Sequence, residues 1–379
     1  MRVAWDLTTL CMPATGIGRY TREALYATAR ARPDWEFVAT SFAGGEGTRR
    51  LRGAIGEMPL NIEHRHVRVP GARFVRRGLT ALPAPTLEAM AGRVDAFVDS
   101  EWFHPRQRSG LRVSIAYDLG PLLHPEWVDE RTRRFHLRTL RTLRDRADLV
   151  ISISQATADD LVRELGVDPD RIAIAYPGVD DAYFDAAPAP PPILGGRPYV
   201  LAVGTLTERQ NLGVLIDAFA VVARDQDDLR LVVVGAEGDA ADAVRRRLEA
   251  VGVADRAVLL GYVADAQLRS IVAGAGVLAF PSRFEGYGMP VPEAMAAGVP
   301  VVASSAPSID EAAGGVAYRF DPDSPQALAD ALRAALRGGR DRDRVITAGR
   351  AFAETRRWSQ TGEAIAAALE AATRGSAAR

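Results

Sequence analysis

Short apolar runs alternate with stretches of helical periodicity along the whole 379-residue sequence, and no other feature restricts its fold as much. A strand reaches a parallel neighbour only through a crossover, usually a helix, so this alternation specifies parallel sheets covered by helices on both faces. In the first half the strand candidates are Val3–Leu7, Glu36–Thr40, Val94–Asp99, Val113–Tyr117, Leu149–Ser154 and Ile172–Tyr176. Between two of these, Gln155–Leu165 has helical spacing, Ser154 to cap its start and Gly166 to close its end. The second half repeats the pattern with strands at Tyr199–Gly204, Arg230–Gly235, Ala257–Tyr262, Val277–Pro281 and Val299–Ala303, joined by helices at about 212–224, 241–251, 266–273 and 291–297. The stretch 187–197 shows neither period, and its prolines and glycines read as a linker.

Length agrees, because 379 residues exceed what one core usually organises, and two domains of roughly 180 residues are the natural division. The expected α/β architecture is two Rossmann-like domains, 1–186 and 198–358, facing each other across a cleft, with an amphipathic helix over 359–379 crossing the junction. Ligands of such sheets collect at the carboxyl ends of the strands, so chemistry is expected in that cleft.

Hydrophobic residues make up 47% and charged residues 25%, and no apolar stretch approaches the roughly 20 residues of a membrane span. The start, Met1-Arg-Val-Ala-Trp-Asp6, reads as a strand rather than a secretory leader. Cys11 is the single cysteine, which excludes an internal disulfide and a cysteine-based metal site and points to the cytoplasm. A net charge of −1 argues against a nucleic-acid partner. All 47 basic residues are arginine, and eight of them fall between Arg49 and Arg77 against only Glu57 and Glu63. Arg131 to Arg146 carries seven more. Such runs read either as solvated helix faces or as a dock for an anionic membrane surface or a lipid-phosphate acceptor.

The segment Phe280-Pro-Ser-Arg-Phe-Glu-Gly-Tyr-Gly-Met-Pro-Val-Pro-Glu293 carries the most chemical information. A strand end, a glycine-rich loop and a helix start follow in order, with Pro290 and Pro292 suited to the first helical turn. Free N–H groups there can hold anionic or hydroxyl-rich groups. Glu285 falls in the loop and Glu293 on the first turn, and paired carboxylates that accept hydroxyl hydrogen bonds suit one sugar and one ribose.

This segment resembles the E-x7-E signature of retaining family-four glycosyltransferases, of the two-Rossmann GT-B type. The resemblance extends to Val203-Gly-Thr-Leu-Thr-Glu-Arg-Gln-Asn-Leu212, Gly261-Tyr-Val263, Tyr176-Pro-Gly-Val-Asp180 and Gly16-Ile-Gly-Arg-Tyr20. It implies that Glu285 touches the donor sugar, Glu293 binds the ribose and Arg209 holds the diphosphate. Gly16, Gly18, Gly204, Thr205, Gln210, Val263, Gly286, Tyr287, Gly288 and Met289 then line the donor site, and Tyr117 and Asp118 stand beside the reacting sugar. The family also implies a hexosyltransferase, leaning towards mannose, that uses a GDP- or UDP-linked donor and a glycan, lipid-linked or small-molecule acceptor. Its front-face mechanism retains configuration without a metal or other cofactor, and the departing diphosphate helps remove the acceptor proton.

Two positions differ from the family pattern. Tyr117 stands where His is usual, and Gln210 where Lys commonly follows the arginine. His104 and His124 are further candidates near the reaction. These departures leave open a non-catalytic sugar-nucleotide-binding protein, and a nucleotide-sugar epimerase shares the architecture. A nicotinamide fingerprint fails at Thr21, where a third glycine is needed. The Asp-x-Asp strings at 168, 225, 321 and 341 read as turns and helix ends rather than metal sites.

Overall fold

The structure, a computed structural model, describes residues 1–13, 15–68, 86–100 and 105–377. The chain divides into two compact units, Met1–Gly178 with Trp358–Arg379, and Val179–Arg357.

The first unit is built on seven strands: β1 (Arg2–Asp6), β2 (Glu36–Ala43), β3 (Ile62–Arg68), β4 (Ala96–Asp99), β5 (Leu111–Ala116), β6 (Leu149–Ser152) and β7 (Ile172–Ile174). All pairings are parallel, in the order β3-β2-β1-β4-β5-β6-β7. The central strands read as continuous apolar runs because helices cover both faces. The sequence reading misses β3. Ile62-Glu-His-Arg-His-Val-Arg68 carries only two aliphatic side chains, and as an edge strand it takes its register from β2, Phe37 facing Ile62.

The second unit holds β8 (Tyr199–Val203), β9 (Arg230–Val234), β10 (Ala257–Gly261), β11 (Val277–Phe280), β12 (Val301–Ser304) and β13 (Tyr318–Phe320). They too are parallel, in the order β10-β9-β8-β11-β12-β13. This is the order of a dinucleotide-binding sheet, and the first unit follows it with one strand added. The order reverses between β1 and β4 in one unit and between β8 and β11 in the other, which marks the two switch points. The edge strand β13 is also missed from sequence, since three residues are too few to show a period.

Local signals set the helices as expected. The Ser154 hydroxyl accepts the Thr157 N–H at 3.0 Å to start Gln155–Leu165, and Gly166 ends it in the left-handed conformation. The stretch 187–197, expected as a linker, is counted within the second unit. Leu194 is buried, and the Ala189 N–H donates to the Ser270 carbonyl at 3.1 Å. Proline-rich composition reports lost donors, and that alone does not keep a segment from packing.

The last helix, Trp358–Ala377, is counted in the first unit, where it lies on the helix Gly16–Ala31. Gly362 permits the approach, because a Cβ there would overlap the Ala27 backbone. Ile365 and Leu369 are completely buried, which contributes about 1.5 to 3 kcal/mol each. Thr361 donates to the Tyr176 carbonyl at 2.7 Å, and Arg32 pairs with Glu370 at 2.9 Å. Among the described residues, no helix is long and apolar enough to cross a membrane.

Candidate active site

In the second unit the loops that follow β8 and β11 meet at the switch point. The β8 loop packs tightly on the β9 loop. A Cβ at Gly235 would overlap the Gly204 carbonyl, and one at Gly238 would overlap that of Leu206, so glycine is required by close approach. A single tight turn, Glu208–Gln210, then presents Arg209 and Gln210. Asn211 follows in the left-handed region with φ of 54°, and its amide ties three loops together through the carbonyls of Pro281 (3.2 Å) and Pro322 (2.8 Å). The Arg283 N–H donates to the Arg209 carbonyl at 2.9 Å, which joins the two loops directly.

Glu285 is the centre of this junction. Its carboxylate is paired with Arg209 through one oxygen and accepts from the Gln210 amide at 2.5 Å through the other. Arg209 also donates to the Phe284 carbonyl at 3.1 Å, and Ser308 donates to the Glu285 carbonyl at 2.5 Å. Gln210 lies over Gly204, where a Cβ would overlap its amide oxygen. The Arg209 side chain stays 36% accessible while that of Glu285 is 12% accessible, so the guanidinium keeps an open side towards solvent or a ligand.

Beyond Glu285 the chain passes Gly286, Tyr287, Gly288 and Met289 into the helix Pro290–Ala296. Gly288 has φ of 107° and sits against the Phe280 ring, a position where a side chain would be strained. Glu293 falls in the first helical turn, as expected, and is buried. Thr205 is exposed and Val263 half-buried at the ends of β8 and β10, beside Tyr262, which is 64% exposed. The structure thus brings Arg209, Gln210 and Glu285 into contact, with Gly204 and Gly288 at tight or strained positions of the backbone beside them.

The remaining candidates lie in the first unit. The side chain of Thr15 accepts the Gly18 N–H at 3.3 Å to start the helix Gly16–Ala31, leaving Gly16 exposed. Tyr117 follows β5 and is buried. Its hydroxyl is hydrogen-bonded to Thr21 at 2.6 Å, and its ring meets Tyr20 edge-on at 5.9 Å. Tyr117 therefore ties β5 to the helix that the glycine loop opens. Asp118 is half-buried and accepts the Gly120 N–H at 2.7 Å. His124 stacks on Trp127 at 3.9 Å and contacts Glu126 at 3.2 Å, and His104 lies outside the described residues.

Sequence reasoning misses a polar cluster at the other switch point. Asp6, which ends β1, is completely buried and accepts from Ser100, from the Thr8 hydroxyl (2.5 Å) and from the Thr8 N–H (3.0 Å). Asp99, which ends β4, accepts from Ser114 at 2.7 Å. Burial pushes the Asp6 carboxyl up to about 6, against the lowering effect of the Ser100 and Thr8 hydrogen bonds. The available signal is position alone, since both aspartates end apolar strands beside the point where strand order reverses. The Asp-x-Asp strings sit in turns and helix ends: Asp168 and Asp321 accept N–H groups two residues on, Asp225 pairs with Arg333, and Asp341 pairs with Arg344. Among the described residues no group of three or more His, Cys, Asp and Glu side chains could hold a metal ion.

Comparison with known proteins accounts for both units. Residues 184–352 match the family described as glycosyl transferases group 1, and residues 14–183 match glycosyltransferase family 4. The chain is 26% identical to the O-antigen chain mannosyltransferase B of Escherichia coli, over 95% of this chain and 96% of that one. It is 30% identical to a GDP-mannose-dependent alpha-(1-6)-phosphatidylinositol monomannoside mannosyltransferase of Mycobacterium tuberculosis, over 77% and 81%. Among solved structures, Anabaena Alr3699/HepE in complex with UDP and glucose shares the fold with a TM-score of 0.70 at 18% identity, over 98% of this chain and 100% of that one. WaaG, a glycosyltransferase involved in lipopolysaccharide biosynthesis, aligns with a TM-score of 0.68 at 18% identity, over 97% and 98%.

Proposed function

This chain belongs to glycosyltransferase family four, and we propose that it moves mannose from GDP-mannose to a hydroxyl of a glycan or lipid-linked acceptor, with retention of configuration and without a metal. One observation carries the reading. At the switch point of the second sheet, Glu285 is held between Arg209 and Gln210, with glycines clearing the backbone around them. A carboxylate fixed in this way accepts hydrogen bonds from sugar hydroxyls in one orientation. The accessible side of Arg209 offers a cation to the diphosphate, whose charge grows as the glycosidic bond breaks, and a preorganised cation is most useful there. Glu293, in the first turn of the following helix, is assigned to the ribose. The departing phosphate takes the acceptor proton on the face it leaves, which gives retention.

Two relatives that span most of the chain are named as mannosyltransferases, one of them GDP-mannose-dependent, and this favours that donor. A UDP-hexose is the second candidate, supported by the UDP and glucose held in the Anabaena structure. A cytoplasmic enzyme fits the single, buried Cys11. Peripheral contact with an anionic membrane is supported by Arg49, Arg52 and Arg68, which are exposed, and by the arginines of the helix Glu130–Arg146. Arg50 and Arg65 are partly neutralised by Glu46 and Glu63, and Arg73, Arg76 and Arg77 lie outside the described residues.

The deciding experiment offers the purified protein GDP-mannose, UDP-glucose and UDP-galactose with candidate acceptors. It follows nucleoside diphosphate release and assigns the product anomer by NMR. Release from GDP-mannose and an α-linked product are expected. A β-linked product overturns the retaining mechanism, and nucleotide binding without any transfer returns the chain to the non-catalytic reading.

A further inference from the structure

A cavity of about 310 Å3 lies wholly within the first unit, lined by Asp99, Arg106, Arg112, Ser114, Thr142 and Arg146 among others. One wall is a face of the sheet, where the paired residues Phe97 and Arg112, then Asp99 and Ser114, stand side by side on β4 and β5. The opposite wall is the last turn of the helix Glu130–Arg146, whose Thr142 and Arg146 share a face four residues apart. Arg112 and Arg146 lie at the start of β5 and just before β6, so the cavity extends towards the amino ends of these strands. The loops carrying the candidate catalytic residues are at the carboxyl ends.

Arg106, Arg112 and Arg146 are exposed, and none forms an ion pair among the described residues. Of the neighbouring carboxylates, Glu88 accepts the N–H groups of Arg108 and Ser109 at 2.7 and 3.2 Å, Asp148 accepts that of Arg112 at 2.8 Å, and Asp145 pairs with Arg144 at 2.7 Å, while Asp99, inside the cavity, accepts the Ser114 hydroxyl through one oxygen. At the end of the helix, Arg171 places its guanidinium on the carbonyls of Arg144 and of the cap residue Ala147, which offsets part of the negative end of the helix. Arg112 is oriented by its own bond to the Gln107 carbonyl at 2.9 Å.

We propose that this cavity binds a phosphorylated sugar or polyol, at a site separate from the donor site. Three guanidiniums suit a phosphate, which accepts forked hydrogen bonds from arginine. Asp99 and Thr142 supply an acceptor and a hydroxyl for the sugar part, and the volume falls at the small end of ligand pockets.

The test is calorimetric titration of the full chain with glucose 6-phosphate, while the nucleoside diphosphate that binds the donor site is held at saturation. Glucose and inorganic phosphate are titrated separately, and the double variant R106Q/R146Q is compared with wild type. Saturable binding of glucose 6-phosphate is expected, unaffected by the nucleotide and stronger than that of inorganic phosphate. The double variant should weaken it tenfold or more and keep wild-type affinity for the nucleotide, which reports an intact fold. The proposal fails if glucose 6-phosphate does not bind, if glucose binds equally well, if the nucleotide displaces it, or if the double variant binds it unchanged. A phosphate that binds as tightly as the sugar phosphate removes the role given to Asp99 and Thr142 and with it the sugar specificity.

Discussion

Replacing Gln210 by lysine tests whether the diphosphate sits where Arg209 and Glu285 meet. Gln210 is 5% exposed, and its uncharged amide donates to the Glu285 carboxylate at 2.5 Å. A lysine can follow the same path over Gly204 and bring its ammonium to the same carboxylate oxygen. The amide already bonds to a charged group, so the exchange adds chiefly a net positive charge, roughly 1 kcal/mol for a phosphate oxygen about 4 Å away even at the dielectric of bulk water. Burying an ammonium opposes the gain, and the adjacent Glu285 carboxylate offsets much of that cost. The new cation also competes for Glu285, which frees Arg209 for a phosphate. The expected result is nucleoside diphosphate binding about three- to tenfold tighter in Q210K, read by calorimetry with GDP and UDP. Arg209→Ala should weaken the same binding by about ten- to a hundredfold, because it removes a charged partner outright. If both variants unfold cooperatively at wild-type denaturant concentrations and bind the nucleotide as wild type does, the diphosphate lies elsewhere and the assignment of this loop is wrong.

Glu293→Ala should weaken binding of the bare nucleotide, whereas Glu285→Ala should spare it and depress turnover; equal losses of nucleotide affinity would sink the division of roles. Transfer should persist in EDTA, and activity lost in chelator but restored by magnesium or manganese would overturn the metal-free mechanism. The Asp6 carboxyl is raised from 3.8 to about 6 by burial, so its protonated form favours the fold. Its contribution is complete below about pH 4 and is lost as pH rises through 6. The stability of wild type minus that of D6N should therefore fall by roughly 3 kcal/mol at most between pH 4 and 7, measured by urea unfolding, and a flat difference refutes the buried-carboxyl account. Binding to anionic vesicles should be seen in sedimentation at low salt and fade as the Debye length shrinks from about 10 Å at 0.1 M to about 3 Å at 1 M. No binding at low salt would favour a soluble acceptor.

The doubly wound sheets were legible in the sequence because their buried strands are unbroken apolar runs. The two missed strands, β3 and β13, are edges, and edges need only one apolar face or a few paired residues. The loop position of Glu285 and the first-turn position of Glu293 were legible from the glycines and prolines around them, whereas Arg209 was singled out by the family resemblance alone. The contact between Gln210 and Glu285 was not, since it joins loops 75 residues apart. Gln210 read as a lost charge, and the structure gives it a partner. Tyr117 read as a substituted catalytic group, and the structure joins it to Thr21, a contact between positions 96 residues apart. The Asp6 cluster was hidden for a related reason, because an aspartate at a strand end shows no sign of how deeply it will be buried.

The return of Trp358–Ala377 to the first unit sets an order on biosynthesis. The second unit is one continuous segment, Val179–Arg357, and needs no later part of the chain to complete it. The first unit begins earlier, yet the face of Gly16–Ala31 that carries Ala27 and Thr28 stays uncovered until the helix Trp358–Ala377 emerges. At about 5 to 20 residues per second, the interval between residues 178 and 358 lasts roughly ten to forty seconds. Through that time the earlier half waits as an incomplete layer, its last piece separated from the rest of it by a whole second unit.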